Sequence, residues 1–168
     1  MNSIIPIRII SFIVLVLAQV LVFNHINFLG YVNPMIYLLF IIEAPFHQNK
    51  IPTLLSAFAI GLAVDLLSDT GGIHAASSVF AAYVRPLALN VAFGKNFETQ
   101  TLHLSQYPIG KVFTYVAILV VLHHTLFYFL EIFNFNHFFN TFAKIGITSV
   151  FTILLCMVLI FVFSSKKK

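Results

Sequence analysis

An all-α polytopic membrane protein is the fold class this sequence predicts, and three observations predict it. The 168 residues are 60% hydrophobic and 8% charged, whereas a soluble domain carries about a quarter charged residues to cover its surface. The mean hydropathy is +1.00, and the apolar residues gather into blocks of membrane-spanning length. Lysine and arginine fall at the ends of these blocks, on every second connection. Too little polar sequence remains for a separate soluble domain, so residues 1–168 read as a single integral membrane domain.

A spanning helix needs about 20 mostly apolar residues to cross a hydrocarbon core of roughly 30 Å. Six windows qualify, at 7–27, 32–46, 51–69, 72–93, 109–132 and 142–163. The first reads on as QVLVFNHINF without a small-residue cleavage site, which predicts a retained helix and not a cleaved leader. The second is short; Pro34 opens it, and Pro45 disfavours helix at Ala44. Pro52 suits the first turn of the third, and Gly71-Gly72 make a tight turn into the fourth. Gly94 and Gly110 bracket the longest polar stretch, GKNFETQTLHLSQYPIG. Phenylalanines crowd the fifth span and the connection FYFLEIFNFNHFFN, which reads as an interfacial aromatic belt in preference to a docking surface. The single cysteine, Cys156, lies in the sixth span, where a thiol behaves as a small hydrophobe and no intramolecular disulfide can form.

Orientation follows from the basic residues. Arg8 marks the amino end, Lys50 the second connection, Lys95 and Lys111 the fourth, and Lys166, Lys167 and Lys168 the carboxyl end. The first and third connections carry none, and the fifth has only Lys144 at its margin. Positive charge stays on the cytoplasmic side, so six spans with both termini cytoplasmic are expected. The net charge of +4 thus reads as membrane orientation and not as a nucleic-acid surface.

Polar residues within the spans carry the functional question. Asp65 lies near the outer end of the third span, across the Gly71-Gly72 turn from the free N–H groups that open the fourth. It reads as a hairpin clasp accepting N–H bonds from around Gly72 to Ala75, so that Asn would serve nearly as well as Asp. The other reading is a ligand, ion or proton site shared with His74 and one of His123 and His124. The last two are adjacent, point about 100° apart on a helix and cannot both face one ion. No metal-ligand spacing is present, so no metal or other cofactor is expected. Arg85, in the cytoplasmic half of the fourth span, is expected to snorkel toward the inner headgroups. No nucleophile–base pair, Walker loop or GxSxG motif appears, which argues against an enzyme. Ala57, Gly61, Ala75, Ala76, Ser77, Ser78, Ala81 and Ala82 make small-residue faces suited to helix contact with protein.

The run GLAVDLLSDTGGIHA, followed by a small-residue helix ending AAYVRP, resembles the signature region of the rod-shape-determining MreD family. Upstream, NPMIYLLFIIEAP resembles that family's preceding segment. The resemblance covers about residues 33–86 and rests on Pro34, Tyr37, Pro45, Gly61, Asp65, Gly72 and Tyr83. It implies a fold similar to the substrate-binding component of energy-coupling-factor transporters. It implies a non-enzymatic scaffold of the bacterial inner membrane, bound to the bitopic protein MreC. Through MreC such a scaffold meets the actin-like MreB and the transpeptidase and glycosyltransferase of lateral wall synthesis. The competing expectation is a small-molecule-binding component of an energy-coupling-factor type transporter, with an outer cavity lined by Asp65 and the histidines. The sparse charge of the outer connections favours the scaffold.

Overall fold

A computed structural model describes residues 4–26, 33–45, 50–94, 104–132 and 138–164, all of them in helices or the turns that flank them. The aromatic FNFNH stretch, most of the 94–110 connection with Lys95, and Lys166 to Lys168 lie outside the described residues. The helices are α1 (Ile4–Leu21), α2 (Leu39–Ile42), α3 (Ile51–Ser68), α4 (Ile73–Phe93), α5 (Ile109–Ile132) and α6 (Phe138–Ser164). Among the described residues five segments are long and apolar enough to cross a membrane: Pro6–His25, Ile51–Ser68, Ile73–Phe93, Ile109–Ile132 and Asn140–Val162. These five match the expected windows within a few residues.

The second window does not form a spanning helix. A 3-10 turn at Ile36–Leu38 leads into the single turn of α2, and Pro34 and Pro45 bound the pair. An apolar run of this length reads as a short spanning helix when only its sequence is weighed. The structure instead puts it at the centre of the bundle, where every residue from Met35 to Ile42 is buried. Broken backbone survives at membrane depth only where protein satisfies its polar groups, since each orphan there costs several kcal/mol.

The neighbours supply those partners from both sides. At one end, Gln19 Nε2 donates to the Pro34 carbonyl at 3.1 Å and its Oε1 accepts from Tyr37 N at 3.4 Å. Met35 N donates to Thr152 Oγ1 at 3.1 Å. At the other, Arg8 donates to the Phe40 carbonyl at 3.1 Å and lies over the Phe40 ring, 3.8 Å from its centroid. The Tyr115 hydroxyl donates to the Ile42 carbonyl at 3.0 Å, and Arg85 Nη2 donates to the Ala44 carbonyl.

These contacts also fix direction. Residues 34–44 run antiparallel to α1, from the level of Gln19 to the level of Arg8, about 16 Å at 1.5 Å per residue. Asn24, just past α1, donates to Ser68 Oγ at the end of α3 at 2.8 Å, so these ends lie side by side. α4 returns from the Asp69–Gly72 turn, α5 runs back up it, and α6 descends α5 through Tyr128–Thr148 and His124–Thr152 bonds of 2.9 and 3.2 Å. The bundle therefore has a hairpin end, with Asn24, Ser68 and Thr70, and an arginine end, with Arg8 and Arg85.

The α3–α4 hairpin is the tightest joint. A Cβ on Gly61 would stand 2.5 Å from Ala75 Cα and 2.6 Å from the His74 carbonyl, so only glycine lets the two backbones approach this closely. The small residues expected to face partner proteins are largely used here: Ala57, Gly61, Ala75, Ser77, Ser78, Ala81 and Ala82 are all buried within the chain. At the turn, Asp69, Gly71 and Gly72 have positive φ, and Gly72 at 95° caps α4.

Candidate functional site

One turn beyond Gly61 on the same face of α3, Asp65 meets the start of α4. Its Oδ1 accepts from His74 N at 3.0 Å and from the Thr70 hydroxyl at 2.5 Å, while Oδ2 accepts from Ala75 N at 2.8 Å. The carboxylate is 4% exposed, and two of its donors are first-turn amides that no intrahelical carbonyl can serve. Both oxygens are engaged, which an asparagine cannot reproduce.

His74 connects this clasp to the bundle centre. Its Nδ1 lies 3.0 Å from the Tyr37 hydroxyl, and the same hydroxyl lies 2.8 Å from His123 Nε2. A phenol has one proton to give, so one imidazole accepts it and the other must donate an N–H. His123 Nδ1 is buried without a partner. A buried orphan N–H is rarer than an orphan acceptor, which favours His123 donating through Nε2 and leaving Nδ1 bare. Tyr37 then donates to His74 Nδ1, and His74 carries its proton on Nε2.

The remaining sequence-selected residues separate. His124 turns away, with Nδ1 2.8 Å from the Val120 carbonyl and Nε2 3.2 Å from Thr152 Oγ1. Pro34 and Pro45 frame the broken segment, while Gly61 and Gly72 shape the hairpin. Tyr83 belongs to none of these groups; it is 67% exposed on the outside of α4. Arg85 does not snorkel. It is 3% exposed, donating through Nε to the Tyr115 hydroxyl at 2.9 Å as well as to Ala44. A guanidinium fork serves two acceptors lying in different directions, and the broken second segment provides the need.

At the hairpin end a cavity of about 370 Å³ opens between α1, α3, α4, α5 and α6. Its polar lining includes Gln19, Asn24, Asn33, Ser68, Thr70, His74, Tyr128, Glu131 and Lys144. Of the four residues singled out as a polar site, His74 lines it, whereas Asp65, His123 and His124 do not. Among the described residues no cluster of three or more His, Cys, Asp or Glu could hold a metal ion. Sequence reasoning passed over Gln19, Tyr115 and Thr152, uncharged residues whose partners lie far along the chain.

Compared with family models, curated proteins and solved structures, the chain matches none. The membrane character rests on the five apolar helices.

Proposed function

We propose that this chain is a non-enzymatic scaffold of the bacterial inner membrane, part of a cell-elongation machinery, that binds an MreC-like bitopic protein through helix contact. Through that partner it links MreB indirectly to the transpeptidase and glycosyltransferase of peptidoglycan synthesis. Both termini and the arginine end face the cytoplasm, and the hairpin end faces outward.

One observation carries the reading. Tyr83 is 67% exposed, about 15 Å along α4 from its first turn, and its hydroxyl has no partner among the described residues. Thr114 and Thr125, on α5, return their hydroxyls to the carbonyls of Gly110 and Val121 at 2.9 and 2.7 Å. Tyr83 has no such outlet, and an unpaired hydroxyl facing hydrocarbon is costly. Ala76, Leu87 and Asn90 share its exposed stripe, giving a narrow face with polar tips on which a partner helix packs and hydrogen-bonds. The buried polar residues support a non-enzymatic role, because Asp65, Arg85 and Gln19 spend their valences holding the backbone. The residues that carry the resemblance to MreD divide between the broken segment (Pro34, Tyr37, Pro45) and the hairpin (Gly61, Asp65, Gly72), with Tyr83 facing outward.

Co-expression with an MreC-like bitopic protein and purification in mild detergent tests this. Tyr83→Phe and Tyr83→Ala should lower the partner recovered per folded molecule about threefold and tenfold, the scale of one lost interhelical hydrogen bond plus packing. Full recovery with Tyr83→Ala sinks the reading. The transporter-component reading has one observation in its favour, the cavity at the hairpin end; tight binding of a vitamin-sized ligand without any protein partner would select it.

A further inference from the structure

We infer that the hairpin-end cavity is a binding site for a small zwitterion, a molecule carrying an ammonium and an anionic group a few bonds apart. Most of its polar lining is already satisfied. Gln19 Nε2 donates to Asn24 Oδ1 at 2.9 Å, Asn24 to Ser68, Thr70 to Asp65, and the Tyr128 hydroxyl pairs with Thr148. Among the described residues, three of the lining side chains have a group with no hydrogen-bond partner: His74 at Nε2, Glu131 at its carboxylate and Lys144 at its ammonium. Glu131 on the last turn of α5 and Lys144 on α6 are near enough to attract, yet no hydrogen bond or ion pair joins them among the described residues.

A ligand bearing one charge meets an opposing charge in this cavity. An anion drawn to Lys144 faces Glu131, and a cation drawn to Glu131 faces Lys144. A zwitterion satisfies both, its anionic group on Lys144 and the His74 N–H, its ammonium on Glu131. The volume of about 370 Å³ lies near the lower limit for ligand pockets, which run from about 300 to 1,000 Å³. That admits an amino acid or a phospholipid headgroup and little more. Met35 and Phe127 add apolar surface, suited to an uncharged substituent beside the charged pair. The inference is independent of partner docking on α4, since the cavity shares no residue with the Tyr83 stripe.

The test uses the full chain in nanodiscs and follows thermal stability and calorimetric binding. One arm adds L-phenylalanine, with 3-phenylpropionate and phenethylamine as its singly charged analogues. The other adds dihexanoyl phosphatidylethanolamine, with dihexanoyl phosphatidylglycerol as the anionic control. At least one zwitterion should bind saturably, about tenfold or more tighter than its singly charged counterparts, as expected for a charge-assisted bond. Binding in the first arm alone identifies a free solute, and in the second alone a headgroup. Glu131→Gln and Lys144→Gln should each lose about tenfold in affinity. The charge exchange Glu131→Lys with Lys144→Glu should recover part of it for the free amino acid, since a zwitterion can reverse but then turns its ammonium toward the His74 N–H. Glu131 is exposed and Lys144 half-buried, so ligand-free melting should not move in these variants. Saturable binding of neither zwitterion, or equal binding of the singly charged analogues, overturns the inference.

Discussion

Asp65 is a carboxylate used as a backbone cap across a turn. Its two oxygens take three donors, one of them shared, so the count of acceptors matters. Asn keeps the oxygen for His74 N and Thr70 but turns an NH₂ toward Ala75 N, donor against donor. Ala removes both acceptors. The expected order of thermal stability is therefore Asp65 above Asp65→Asn above Asp65→Ala. Asn should cost about 1–2 kcal/mol and Ala about 2–4, on the scale of buried donors left unpaired. Differential scanning fluorimetry in detergent checks this, and an Asn variant as stable as the parent would show that one oxygen suffices. The clasp was legible in the sequence because it is local: acid, glycine turn and free N–H groups lie within ten positions. Tyr37 was not legible as a bridge, because His74 and His123 come to it from separate helices and nothing near Tyr37 marks them.

The broken second segment shows at the element scale why a hydropathy reading stops short. Its composition fits a lipid-facing helix, but its environment is protein on every side, and what allows it to break lies in α1, α4, α5 and α6. The five long helices were readable because lipid selects for length and apolarity, which a sequence displays. Tertiary capping by Gln19, Thr152 and Arg85 is a three-dimensional relation that no spacing encodes. Arg85 gives the clearest test. Its Nε and Nη2 reach Tyr115 and the Ala44 carbonyl together, whereas a lysine ammonium is a single point on a flexible stem. Arg85→Lys should lower stability by about 1–2 kcal/mol, and Arg85→Met, which leaves the Ala44 carbonyl bare, by about 2–3. Tyr115→Phe in the Arg85→Met background should add less than it does alone, because the two residues close the same end of the segment. Additive losses would show that the arginine and tyrosine act independently.

At the scale of the whole molecule, the short segment decides the parity of the chain. If residues 34–44 dipped into the bilayer and returned, the chain would cross five times, with its termini on opposite sides. Lys50, Lys95, Lys111 and the terminal lysines would then lie on the side away from Arg8, against the charge bias that orients membrane helices. The segment instead meets the hairpin end of α1 through Pro34 and the arginine end through Phe40. A segment joined to both ends of its neighbour traverses it, although part of that path is not α-helix. On the proposed six-pass topology, Arg8, Lys50 and Lys111 share the cytoplasmic side. Reporter fusions after His47, within 96–107 and at Lys168 should therefore read cytoplasmic, and fusions at Asn27, Asp69 and Asn136 periplasmic. A returning segment would reverse every one of these fusions except Asn27, turning those after His47 and at Lys168 both periplasmic. If those two reverse together, the six-pass topology is wrong, and the outward orientation of the hairpin-end cavity is wrong with it.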